Sequence, residues 1–124
     1  MILADTMVWA DFISHGDDRM RALLESGDVR MHPMVRGELA LGNLARRAAN
    51  LAALDSLPTA PVATHDEVHA LIENVPLFGT DVGFVDAHLL ASVLLMPGGR
   101  LWTRDRRLAA VAAKLAILYP DPEA

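Results

Sequence analysis

Short apolar runs alternate with longer stretches of helical period along this 124-residue chain, and that alternation predicts an α/β fold with a parallel sheet. "MILAD" reads as a buried first strand ending at Asp5, followed by a short helix through Val8, Trp9, Phe12 and Ile13. Asp17 to Ser26 reads as a second helix with Met20, Leu23 and Leu24 inward. Gly27 stands where a helix end often needs a left-handed residue. "VRMH" is a candidate second strand, and Pro33 then takes the favoured first position of a helix. A further helix is predicted over about residues 42–57, and "PVA" at 61–63 reads as a short strand. Thr64 and Glu67 have the spacing of a capping box, which starts a helix through Val68, Leu71 and Ile72. The stretch "GFVDAHLLASVLL" is another helix, closed by the turn "MPGG". The strand "RLWT", a helix over residues 106–115 and a last strand "AILY" complete a sheet of four to five strands.

Four acids interrupt this pattern. Asp86 lies near the start of an otherwise apolar helix, where a period of about 100° per residue puts it on the face of Leu89, Leu90, Val93 and Leu94. His88 and Ser92 fall on a separate polar stripe, expected to be solvated. By the same test Glu38 shares a face with Met34, Val35 and Leu41, while Arg36 points away. An unpaired carboxylate on a buried face costs several kcal/mol. Asp5 and Asp105 follow apolar strands, and the carboxyl ends of strands are where open α/β sheets bind ligands. For Asp105 a second reading stays open, because a helix N-cap contributes about 1 kcal/mol without any chemistry. Most of the remaining acids have ordinary explanations. Asp81 reads as a loop acid in preference to a peripheral ligand, and Asp17, Asp18, Glu25, Asp28, Asp121 and Glu123 fall in turns or ends expected to be solvated.

Converging carboxylates repel one another unless a cation compensates. With no cysteine in the chain, thiolate sites, disulfides and cysteine nucleophiles are all excluded. An oxygen-only donor set favours Mg²⁺ or Mn²⁺ over Zn²⁺. His65 and His69 are four apart, but "HDEVH" lacks the glutamate that a zinc-protease helix carries after its first histidine, so both are expected to be exposed.

The length is that of one domain, residues 1–124, large enough to bury a core without staples. No apolar run approaches the roughly 18 residues of a membrane span, and the acidic N-terminal stretch does not read as a signal peptide. The chain is therefore expected to be cytoplasmic. At 52% hydrophobic residues it suits a sheet buried on both faces or a surface that a partner covers. A net charge of −5 argues against broad electrostatic attraction of nucleic acid, though not against a local patch. Arg100, Arg104, Arg106 and Arg107 supply four of the eleven basic residues close to Asp105. They read either as phosphate contacts or as solvated arginines at a helix start.

"ILADT", "HPMVRGELALGNL", "GFVDAHLLAS" and "LWTRDRRL", in this order and in so short a chain, resemble a PIN-domain ribonuclease, specifically the VapC-type toxins of toxin–antitoxin pairs. The likeness runs from residue 2 to about residue 115. It implies a PIN-like α/β/α sandwich, Mg²⁺- or Mn²⁺-dependent endoribonuclease activity on RNA, homodimerisation and inhibition by a cognate VapB-type antitoxin. By motif, Asp5, Glu38, Asp86 and Asp105 match the family's acidic, metal-binding and catalytic quartet, and Thr6 and Thr103 match hydroxyls that orient the carboxylates. Met7 departs from the pattern, since a small polar residue is common there. It also sets the chain apart from haloacid-dehalogenase-like phosphatases, which need a second acid at that position. The alternative to a nuclease is a PIN-like module that binds RNA or protein with little or no catalysis.

Overall fold

The computed structural model describes residues 1–121; Glu123 lies outside them. Three parallel strands, β1 (Ile2–Ala4), β2 (Val29–Arg30) and β3 (Arg100–Trp102), form a sheet in the order β2-β1-β3. Among the described residues seven helices surround and connect them: α1 (Thr6–His15), α2 (Asp18–Glu25), α3 (Pro33–Leu41), α4 (Arg47–Asp55), α5 (His65–Asn74), α6 (Phe84–Leu94) and α7 (Arg106–Lys114). Parallel neighbours cannot be joined by a hairpin, so each return to the sheet runs through helices. The chain moves from central β1 to β2 on one side and later returns to β3 on the other. The crevice beyond the carboxyl ends of β1 and β3 is thus the topological switch point, the place where such sheets bind ligands.

The four to five strands expected are not present among the described residues. Single parallel bridges, Met31 with Thr59 and Leu101 with Leu118, occupy the edges where further strands were expected. "PVA" forms no strand, and "AILY" contributes only the bridge at Leu118. Pro58, Pro61 and Pro120 bracket these segments, and proline cannot donate to a ladder. The helix expected over residues 42–57 is also shorter. The Gly42 amide ends α3 on the Leu39 carbonyl, and Arg46 takes a left-handed conformation before α4 begins.

Local signals elsewhere act as their chemistry dictates. After α2, the Gly27 amide donates to the Leu24 carbonyl and the Asp28 amide to the Leu23 carbonyl. This paired closure turns through Gly27 at a φ of 72°, a conformation that glycine adopts without steric cost. It delivers the chain to β2, where the Asp28 carbonyl accepts from the Ile2 amide. Thr64 and Glu67 cap α5 reciprocally. The core sits around the sheet, with Leu3, Trp9, Met20, Leu89, Leu90, Leu101, Trp102 and Leu108 fully buried.

α6 departs most from its expected facing. Every residue from Ala87 to Val93 is buried, including His88 and Ser92, whereas Leu94 is exposed. The polar stripe is not solvated because α6 packs against α5. The His88 ring lies edge-on to His65 and Phe84, with centroids 5.8 and 4.7 Å away. Burial pushes the His88 pKa below its usual range.

Candidate active site

The site begins where β1 ends. Pairing of Ala4 with Trp102 sets the carboxyl ends of β1 and β3 side by side, and the Asp5 amide donates to the Trp102 carbonyl. Asp5 caps α1 by accepting from the Thr6 amide at 2.7 Å, and its other carboxylate oxygen accepts from Thr103 Oγ1 at 2.9 Å. Asp5 and Thr103 are both buried. Thr103 also accepts from the Asp105 amide at 3.1 Å, so one hydroxyl joins the two strand-end acids.

Asp105 is itself the N-cap of α7, accepting from the amides of Arg107 and Leu108 at 2.9 and 3.1 Å. Capping and membership of the acidic cluster therefore coexist at this residue. Glu38 comes from α3. The helix buries Val35 and Leu39, while Leu41 is 91% exposed, which corrects the facing expected for Glu38. It is exposed, and it turns towards the strand ends by accepting from Thr6 Oγ1 at 2.5 Å. Asp86 is the third residue of α6 and is partly buried.

The four carboxylates form one electrostatic unit. Burial, then the charges of Asp5 and Asp105, and less strongly Glu38, push the Asp86 pKa from 3.8 up to about 6, with the Gly83 amide offsetting part of the rise. Asp5 is also raised, by burial first; hydrogen bonds from Thr103 and the Thr6 amide oppose the shift, and Glu38 and Asp105 add to it. A cation among them would relieve each of these repulsions, and the all-oxygen donor set fits a hard divalent ion. The set is not preassembled: among the described residues, no group of three or more histidine or acidic side chains is arranged to hold a metal ion.

Thr103 gives a direct test of the scaffold. Thr103→Val keeps the shape of the side chain but leaves a buried oxygen of Asp5 without its donor. The substitution should cost about 1–3 kcal/mol, read as a lower urea midpoint at unchanged slope. Unaltered stability would mean that this hydroxyl does not hold Asp5.

No family model matches the chain. Two curated proteins do, both Ribonuclease VapC32 of Mycobacterium tuberculosis, from strains CDC 1551 / Oshkosh and ATCC 25618 / H37Rv. Each is 45% identical over 121 residues, covering 98% of this chain and 98% of the relative. The chain belongs to the VapC-type PIN-domain ribonucleases.

In this VapC-family chain the four arginines near Asp105 are placed differently from one another. Arg100 begins β3, at the end of the strand remote from the acids, with Nη1 3.5 Å from the Leu118 carbonyl. Arg106 and Arg107 are exposed at the start of α7, beside Asp105. Arg104 is held by three carboxylates, those of Asp11, Asp17 and Asp121. Asp17 and Asp121, expected in solvated positions, have side chains only 18% and 2% exposed. Sequence reasoning missed this network, although one signal was available. In an extended segment alternate residues face opposite sides, so Arg104 had to point away from Thr103 and Asp105. His32 was missed as well: it caps α3 through Nδ1, which accepts from the Met34 amide at 3.0 Å. His65 and His69 are exposed as expected, and Asp81 lies in the loop before α6. No helix among the described residues is long and apolar enough to cross a membrane.

Proposed function

We propose that this chain is the toxin of a toxin–antitoxin pair, an endoribonuclease that hydrolyses RNA phosphodiester bonds at Asp5, Glu38, Asp86 and Asp105. The observation carrying this reading is the electrostatic coupling of four carboxylates at the sheet's switch point, with Asp86 pushed to about 6. Kinship with proteins named Ribonuclease VapC32 supports the same activity. The four carboxylates would hold Mg²⁺ or Mn²⁺, which when bound supplies water activation and neutralisation of phosphate charge.

The residues of the chain divide the remaining work. Asp5, fixed by two hydrogen bonds, is the rigid member. Glu38 and Asp105 are exposed and stand at the rim, where adjustment on cation binding costs little packing. Arg106 and Arg107, exposed beside Asp105, would meet RNA phosphates. Met7, next to Thr6, and Leu41, three residues after Glu38, are 58% and 91% exposed and offer apolar surface for a partner. Control by a VapB-type antitoxin, homodimerisation and a cytoplasmic location belong to the same proposal.

Sequencing of RNA 5′ ends after brief expression in cells, with wild-type protein and Asp5→Asn compared, tests the reading. Hydrolysis by activated water should leave discrete new ends carrying 5′-phosphate, opposite 3′-hydroxyls, with wild type alone. Ends with 2′,3′-cyclic phosphate would overturn the mechanism. Purified protein that shields RNA from other nucleases without cutting it would favour the binding module.

A further inference from the structure

We propose that Arg104 is a positioning residue for the reaction, a clamp that holds the 103–105 segment so that Thr103 and Asp105 face Asp5; this rests on the ribonuclease reading. Its Nη1 donates to Asp11 at 2.6 Å, its Nε to Asp121 at 2.8 Å and its Nη2 to Asp17 at 3.2 Å. These three acids come from α1, from the N-cap of α2 and from the chain after Leu118. The guanidinium also lies 5.8 Å from the centroid of the buried Trp102 ring.

Two further observations separate a clamp from a phosphate ligand. The side chain is only 22% exposed, and one positive charge among three carboxylates leaves a locally negative surface that repels a phosphodiester. On the opposite side of the segment, Thr103 Oγ1 bonds both the Asp5 carboxylate and the Asp105 amide. The segment is therefore gripped from both sides. Release of the Arg104 side leaves Asp105 held only through Thr103 and its own cap. Planar, multidentate pairing of this kind needs arginine, because lysine presents a point charge.

The test compares wild type, Arg104→Lys and the double variant Asp11→Asn/Asp17→Asn, which leaves Arg104 in place. Steady-state cleavage of a mapped RNA and amide hydrogen exchange are measured on each. The clamp predicts a kcat lower by about tenfold to a hundredfold in both variants, as for a small displacement of a reacting group. KM for RNA should stay within about twofold, and the Asp105 and Leu108 amides should exchange faster. A raised KM in Arg104→Lys alone would assign Arg104 to RNA contact and overturn the clamp. A lower melting temperature with kcat and both exchange rates unchanged would reduce it to a stabilising staple and also overturn it. Should Arg104→Lys fail to fold, Asp17→Asn, which cuts the longest arm, takes its place. Exchange at Asp105 and Leu108 needs no RNA, so a wild type that cuts nothing defeats the ribonuclease reading while the clamp is still judged.

Discussion

Asp86→Asn is expected to make the metal-free protein more stable above about pH 7, not less. The sign follows from the direction of the shift. The folded state raises the Asp86 pKa from 3.8 to about 6, so it holds the Asp86 proton more tightly than the unfolded chain does. Below about pH 4 the carboxyl is protonated in both states and contributes no penalty. Between about pH 4 and 6 the unfolded chain ionises first, and folding loses stability as pH rises. Above that window the whole penalty is present. The shift sets an upper bound of about 3 kcal/mol, which solvent at this partly exposed group reduces to roughly 1–2 kcal/mol. Asparagine keeps the shape and can still accept from the Gly83 amide, but it cannot ionise. The variant should melt roughly 3–8 °C higher in chelator near neutral pH, with the difference gone in acid. An ordinary buried acid held by structural hydrogen bonds would give the opposite sign, a loss of about 1–3 kcal/mol.

Mn²⁺ is expected to reverse that ranking. A ligand that binds only the folded state adds about 2.7 kcal/mol at a hundredfold excess over its dissociation constant. Wild type should gain that amount as its mutual repulsion is neutralised. Asp86→Asn has already lost both the repulsion and a ligand, so its melting temperature should hardly move. Equal gains in the two proteins would mean that Mn²⁺ binds elsewhere.

Much of this arrangement is legible in the chain because it is local. The Gly27 closure, Pro33 helix start and Thr64/Glu67 box depend on residues within one or two turns, and the elements they bound lie within a residue or two of expectation. Asp5 and Asp105 are legible as strand-end acids for the same reason. What escaped depends on neighbours distant in sequence. A helical wheel assigns His88 and Ser92 to solvent, yet both are buried, with the ring of His65 from α5 and that of Phe84 from the start of α6 beside His88. Glu38 approaches Asp5 through the hydroxyl of Thr6, 32 positions away in the chain, and not through the face its own helix buries. The sheet has fewer strands than its apolar runs suggest because a run such as "AILY" describes burial, whereas a strand also needs a partner along its length. Arg104 stands close to three other arginines in sequence, although its partners lie 17, 87 and 93 positions away.

That the four carboxylates act as one cation-dependent centre for RNA hydrolysis is tested most directly by single-turnover cleavage of one mapped RNA, with wild type and Asp86→Asn each assayed in Mn²⁺ and in chelator. Wild type should cut in Mn²⁺ and not in chelator. Asp86→Asn, although as stable or more so without metal, should be slower by about a hundredfold or more, the scale of losing one preorganised electrostatic group. Cleavage by wild type in chelator at its Mn²⁺ rate, or full activity in Asp86→Asn, would contradict the account.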